Sequence, residues 1–377
     1  MARVKPARAS ASNRSSRGLP YGTQGKQAVP APAALGYRMP AEWEPHAATW
    51  LAWPHEKTDW PGKFTPIPWV YADIVRHLSA VERVRILIAN ADAERAVRGI
   101  LKKAGANLSA VEFFRVPTNR GWIRDFGPIF VRNEKGERAV TNWHFNAWAK
   151  YDDWKKDDAA NDRLAAKLKW KQWRPEFRGR RMVLEGGSID VNGRGTLLTT
   201  KECLLSPVQA RNQDVSRKEL EELFRDYLGI THVLWLKNGI VGDDTHGHVD
   251  DLARFVNPTT VVTVVEADPL EVNYDPLREN LALLREMKDQ DGRPMRVETL
   301  PMPAPVYFDE QRLPASYANF YVANQIVLAP TFNDPNDALA LTKLADLFPE
   351  RKIIGIACLD LVLGLGTIHC MTQQEPA

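Results

Sequence analysis

Three cysteines among 377 residues are too few, and odd in number, for a disulfide-framed secreted scaffold. Cys203, Cys358 and Cys370 are therefore read as reduced thiols of a cytoplasmic protein. Charge of one sign is also lacking. Fifty Lys and Arg against 47 Asp and Glu leave a formal charge of +3, which gives neither nucleic acid nor an anionic membrane surface anything to recognise. No apolar run approaches the roughly 20 residues that a membrane-spanning helix needs. Histidine is scarce, eight in all, so two of them close together carry weight. What remains, 44% hydrophobic and 26% charged, is the balance of an enzyme-sized globular chain with a large core.

Residues 1–36 contain no acidic residue and are rich in Arg, Ser, Ala and Pro. Such a segment cannot bury enough apolar surface to order itself, so it is expected to be a disordered leader, with residues 37–377 as one domain. Beyond it, short apolar strands alternate with amphipathic helices. The stretch "RVRILIANA" from Arg83 precedes a helical "DAERAVRGILKKAG", and "TVVTVVEA" from Thr260 precedes "DPLRENLALLREMKD", for which Asp275 is the expected cap. Ser216 and Glu219 form a capping-box pattern and Gly229 a stop signal for another helix. This alternation predicts an α/β fold with no internal linker.

Chemistry-bearing residues concentrate in four stretches. "NRGWIRDFGPIFV" carries Trp122 and Asp125, and "MVLEGGSIDVNG" sets Glu185 against two glycines that let a backbone or ligand come close. "GDDTHGHVDDLARFV" packs Asp243, Asp244, His246, His248, Asp250 and Asp251 into nine positions. If that segment is extended, His246, His248 and Asp250 share a face, as a general acid/base with anionic binding groups or as metal ligands. The last stretch, "GLGTIHCMTQQEPA", puts Cys370 seven residues from the end, where chains ordinarily fray. A thiol there, with histidine and carboxylates elsewhere in the chain, fits a nucleophile assembled by folding.

These stretches, with "MPAEWEPHAATWLAWP" and "YANFYVANQIVLAP", resemble in content and order the agmatine deiminases and bacterial peptidylarginine deiminases of the guanidino-modifying pentein superfamily. The resemblance covers nearly everything after the leader. It implies a five-bladed α/β propeller with pseudo-fivefold symmetry, no cofactor, no metal, and a small cationic guanidino compound as partner. Homo-oligomers are compatible with it. By the same resemblance Cys370 is the nucleophile, His248 the proton shuttle and Glu185 its orienting carboxylate. Asp125 and Asp250 then bind the guanidinium, and Trp122 packs along the substrate. The implied reaction converts agmatine to N-carbamoylputrescine and ammonia through an amidino-cysteine intermediate.

The chain departs from the family pattern at His246, Asp190, Leu365 and Thr367, so a peptidylarginine or arginine deiminase and an amidinotransferase stand as alternatives. A metallohydrolase built on His246, His248 and Asp250 is the reading from a different class. Carboxylates of the "GDD" and "VDD" runs are expected to attract a distal ammonium. Arg124 is the one arginine of these motifs available to a carboxylate, and it is expected to alternate away from the site.

Overall fold

Both ends of the folded chain meet in one sheet. In the computed structural model, which describes residues 30–377, the last strand, Gln373–Pro376, pairs antiparallel with His46–Ala52. His46–Ala52 pairs parallel with Val84–Ile88, which pairs parallel with Val111–Arg115. The tail does not fray because it is a sheet member. Gln373, Gln374 and Glu375 are buried, and Trp50 Nε1 donates to Glu375 Oε2 at 2.9 Å, with Arg85 and Arg138 also on that carboxylate. Hydrogen bonding and burial thus fix the backbone three residues beyond Cys370.

Four further sheets repeat one pattern, an antiparallel pair followed by a parallel third strand. They are Ile129–Arg132, Arg138–Thr141 and Lys171–Trp173; Asp190–Val191, Thr196–Thr200 and His232–Leu236; Ala253–Asn257, Thr260–Val265 and Arg296–Pro301; and Tyr321–Val322, Ile326–Thr331 and Lys352–Ala357. Each parallel step needs a crossover, and a helix supplies it: Ala160–Leu168, Arg217–Leu228, Tyr274–Glu286 and Asp337–Leu347 in turn. In the first sheet the crossovers are Ile67–Leu78 and Ala91–Lys103. The α/β alternation read from the sequence is this unit, four times over, with a four-stranded variant of it in the first sheet.

Local signals act where expected, with two shifts. Ser216 and Glu219 form the reciprocal capping box, and Gly229 closes that helix at φ 70°. The helix expected to be capped by Asp275 begins at Tyr274 after Asn273. The Asn273 side chain instead accepts from the Val241 amide at 2.8 Å, so a contact with another loop moved the boundary. Of the expected leader, residues 1–29 lie outside the described residues. Its last part is folded: Pro32–Leu35 form a 3-10 turn with Pro32 buried, and Gly36 caps it at φ 76°. Packing of this turn against Arg217–Leu228 supplies the burial that composition alone does not reveal. Residues Ala31–Ala377 form one compact unit.

Candidate active site

Polar turns at the ends of different sheets deliver the candidate residues to one buried cluster. Asp125 lies on the single helical turn Ile123–Phe126, and Glu185 directly precedes the 3-10 turn Gly186–Ser188. His248 precedes the turn Val249–Asp251, which carries Asp250, and Cys370 sits on the turn His369–Met371. Asp125, Glu185, His248 and Asp250 are at most 5% exposed, and Cys370 is 6% exposed. His248 is the centre. Its Nδ1 lies 3.7 Å from Asp125 Oδ1 and 4.0 Å from Asp250 Oδ1, and its Nε2 lies 3.8 Å from Glu185 Oε2. Cys370 Sγ is 3.8 Å from Asp250 Oδ2.

The glycine pair after Glu185 makes this proximity geometrically feasible. A Cβ on Gly187 would sit 2.6 Å from His248 Nδ1 and 2.9 Å from both Asp125 Oδ1 and Asp250 Oδ2. No side chain fits there. The Gly187 amide also donates to Asp125 Oδ1 at 3.1 Å, and Trp148 Nε1 donates to Asp125 Oδ2 at 2.8 Å. Both oxygens of Asp125 are thereby oriented.

A layer of arginine and histidine behind the carboxylates sets their charge. Burial would raise Glu185, but Arg211, whose Nε is 2.9 Å from Oε1 with both side chains fully buried, holds it near 2. Burial also opposes the charge on Asp250, and His369, whose Nδ1 is 2.7 Å from Oδ2, outweighs it and keeps that carboxyl below its ordinary range. The other nitrogen of His369 is 2.8 Å from Glu42 Oε2, and Glu42 accepts from Arg124 and Arg254 at 3.1 and 2.9 Å. Asp125 has no arginine behind it. Burial dominates there, and with Asp250 and Glu185 adding to it outweighs the lowering effect of His248 at 3.7 Å, so Asp125 is pushed up to about 6.

His248 and Cys370 respond to the same field with opposite consequences. Burial disfavours the imidazolium, but Asp125, then Cys203 and Glu185, outweigh it and hold His248 well above the usual histidine range. Burial and the carboxylates of Asp250, Asp251 and Asp125 push the Cys370 thiol well above its ordinary value. A cation entering between these carboxylates would relieve that repulsion and favour the thiolate. Among the described residues, His248 Nδ1 and Nε2, Glu185 Oε2 and Asp250 Oδ1 have no hydrogen-bond partner within the protein. The cluster therefore holds unpaired acceptors beside the thiol.

Entry is through a cavity of about 370 Å³ whose wall includes Cys370, Asp125, Trp122, Trp148, Arg120 and Asp244. Trp122 is on this wall, held by a bond from its Nε1 to Asp59 Oδ2 at 3.1 Å and packed on Trp60. Asp59 bonds Arg120 as well, and Asp244 is paired with Lys150 and with the Tyr151 hydroxyl. The tip of the hairpin Tyr307–Phe308 to Gln311–Arg312 overhangs the same space through Phe308, Asp309 and Gln311.

Several expectations are corrected. The "GDDTHGHVDD" segment is a turn and not a strand, with His246 at φ 63°, so His246 does not share a face with His248. Its ring is 3.3 Å from Ser206 Oγ and 3.9 Å from Glu202, and the trio His246, His248 and Asp250 required for the metallohydrolase reading does not assemble. Asp243 is a loop brace, accepting from the Thr245, Gly247 and His248 amides. Asp251 bonds Asn319 and is buried. Of the acidic runs, Asp244 alone reaches the cavity wall away from the reacting end. Arg124 does point elsewhere, to Glu42, Gln374 and the His369 carbonyl. The arginine that faces the cavity is Arg120. Asp190 occupies no site position; its Oδ2 lies 3.5 Å from Arg254 and accepts from the Phe255 amide.

Sequence reasoning gave no role to Glu42, Arg254, Asn319 or Arg211. The first three stand inside the quoted motifs, where a charged or amide residue among apolar neighbours was the available signal. Arg211 lies in "ARNQD", outside every motif, and nothing local marks it.

The profile of the Porphyromonas-type peptidyl-arginine deiminase family matches residues 38–376. An agmatine deiminase of Pseudomonas aeruginosa (strain LESB58) is 35% identical over 369 residues, covering 92% of this chain and 97% of its own. The agmatine deiminase of Ectopseudomonas mendocina is 34% identical over the same share of each. Among solved structures, the agmatine deiminase of Enterococcus faecalis superposes with a TM-score of 0.85 at 32% identity, over 93% of this chain and 99% of that one. A cysteine-to-serine variant of the C. jejuni agmatine deiminase with substrate bound superposes with a TM-score of 0.80 at 31% identity, over 90% and 96%. With a match that begins at Arg38 and ends at Pro376, the whole sheet framework and the buried cluster lie inside one family, and the chain belongs to the Porphyromonas-type peptidyl-arginine deiminases.

Proposed function

We propose that this chain is an agmatine deiminase, hydrolysing the substrate guanidinium to a ureido group with release of ammonia. The observation that carries the reading is a thiol on the cavity wall beside oriented and unpaired carboxylate oxygens. Guanidinium is a planar set of N–H donors with no acceptor, and paired carboxylates offset its desolvation where one would not. Asp125 and Asp250 take its nitrogens and present its carbon to Cys370 Sγ. The cation offsets the charge that holds the thiol protonated, so substrate binding and thiolate formation support each other. The thiolate adds to the carbon, giving a tetrahedral centre. His248 donates a proton to one terminal nitrogen, which leaves as ammonia. What remains is an amidino-cysteine that still carries the substrate's alkyl arm. His248, now neutral, deprotonates a water that attacks this carbon. Collapse expels the Cys370 thiolate and frees the ureido product. Glu185, held ionised by Arg211, stabilises the imidazolium at the moments it forms.

The cavity wall favours an amine over a carboxylate at the far end. Arg120 is engaged by Asp59 and by Asp153 at 3.2 Å, so among the described residues of the cavity wall no free cation stands ready for an α-carboxylate. Asp309, on the overhanging hairpin, is in no ion pair among the described residues and, with Asp244, offers negative charge to a distal ammonium. Scoring guanidino compounds for ammonia and ureido product tests this. Agmatine should exceed free arginine at least about tenfold in kcat/KM, which needs only about 1.4 kcal/mol. Equal rates, or turnover of an internal peptidyl-arginine with agmatine inert, would overturn the substrate assignment. The repeated three-stranded units further support a reading in which the five sheets are blades about a common axis, within one catalytic domain over residues 37–377.

A further inference from the structure

Asn319 is fully buried in the segment entering the strand Tyr321–Val322, and its side-chain amide is engaged on both faces. Oδ1 accepts from Thr367 Oγ1 at 2.7 Å and from the His369 amide at 3.0 Å, with the Cys370 amide at 3.5 Å. Nδ2 donates to Asp251 Oδ1 at 2.9 Å and to Cys370 Sγ at 3.1 Å. This orientation has one solution. Backbone N–H groups can only donate, so the carbonyl oxygen has to face the His369–Met371 turn, and the NH2 group is thereby delivered to the sulfur. Flipping the amide would place donors against donors and remove the contact to Sγ.

The carboxylates around the sulfur act in the opposite direction. Asp250 and Asp251 face it from the turn Val249–Asp251, and Asp125 from Ile123–Phe126. Tyr71 comes from the helix Ile67–Leu78 and His369 from the neighbouring position. Every carboxylate among them disfavours a thiolate, and Asn319 supplies the one hydrogen bond donated to Sγ among the described residues.

Taking Cys370 as the nucleophile, as the proposed function does, we propose that Asn319 is a positioning residue that stabilises the Cys370 thiolate through its Nδ2–H, and that Thr367 holds it in register. A donor aimed at sulfur favours the charged form. The hydroxyl of Thr367 fixes the amide from the far side without touching the sulfur.

Alkylation of Cys370 in the full chain by iodoacetamide, followed by peptide mass spectrometry across pH without substrate, tests the assignment. Cys358, fully buried, serves as an unreactive internal control. The pH of half-maximal rate should rise by about one pH unit in Asn319→Ala, and by a smaller amount in the same direction in Thr367→Val. Turnover of agmatine by Asn319→Ala should fall about 10–100-fold in kcat near neutral pH and recover toward the parent as pH rises, with KM within about twofold. A structural role alone would lower turnover equally at every pH. An unmoved alkylation midpoint in Asn319→Ala overturns the proposal. Where that variant does not fold, an unmoved midpoint in Thr367→Val does so. Failure of the underlying reading has a separate signature, retained turnover in Cys370→Ser, which no shift of an alkylation midpoint can produce.

Discussion

The buried cluster and the cavity outside it handle charge in opposite ways. In the cluster, at the inner end, Asp250 and Glu185 each keep one oxygen bonded to a cationic or imidazole partner and leave the other free, beside an imidazole with no bonded nitrogen. At the outer end, Asp59 and Asp244 are already engaged by Arg120 and Lys150. Free valences at the inner end commit it to one chemistry, a planar cation next to a thiol. Internal pairing at the outer end leaves only a mild preference, because a ligand there has to compete with existing partners. Mutations should therefore be severe in kcat inside and modest in KM outside.

The largest effect is expected at the centre. His248→Gln keeps size and polarity but cannot shuttle a proton, so kcat for ammonia release should fall by about 10³–10⁴-fold. A loss under tenfold would remove His248 from the chemistry.

Next is Asp125→Asn, where activity and stability should move in opposite directions. Removing one carboxylate from the guanidinium costs a few kcal/mol, about 10²–10³-fold in kcat/KM. The folded carboxyl of Asp125 sits at about 6, above its unfolded value near 3.8. Its stabilising contribution is thus complete below the unfolded value and is lost as pH rises through about 6. At pH 8 the ligand-free parent carries the cost of a buried carboxylate that the variant lacks. Melting curves at that pH should place Asp125→Asn about 2–5 °C above the parent, and near pH 4 the gap should close. A variant less stable than the parent at pH 8 would mean that the bonds from Trp148 and Gly187 outweigh burial. The same group predicts an acid limb near pH 6 in kcat/KM, since only ionised Asp125 accepts the guanidinium.

The smallest effect belongs to the outer end. Asp244→Asn releases Lys150 and Tyr151 and removes a negative wall, which should raise KM for agmatine by about 3–10-fold with kcat nearly unchanged. A fall in kcat/KM as large as that of Asp125→Asn would erase the distinction between the two ends.

The same division separates what sequence could tell from what it could not. Cys370, His248, Glu185, Asp125 and Asp250, which the structure gathers into one cluster, stood out in the sequence because each sits in a short polar motif at the end of an apolar strand, while their roles came from the family resemblance. Gly187 was legible as a close approach, though not what approached it. The α/β repeat followed from strand and helix periodicity, and Ser216 and Gly229 marked their helix correctly. Features set by tertiary contact were invisible. His246 looked equivalent to His248 until the left-handed turn at residue 246 sent its ring toward Ser206. The acidic runs looked like one negative patch, but Asp243 braces backbone amides and Asp251 bonds Asn319. Arg211 and Arg120 acquire roles only through residues 26 and 61 positions away, separations that no local pattern encodes.

The covalent intermediate is the most direct test of the whole account. Rapid acid quench of the enzyme turning over agmatine, followed by mass analysis of the Cys370 peptide, should reveal an adduct about 113 Da heavier, the substrate less ammonia. Transfer of the amidino group alone would instead add about 42 Da and make the chain an amidinotransferase. The account predicts the heavier adduct, absent from Cys370→Ser together with all turnover. Turnover that persists in Cys370→Ser, or an adduct of the lighter mass, would contradict it.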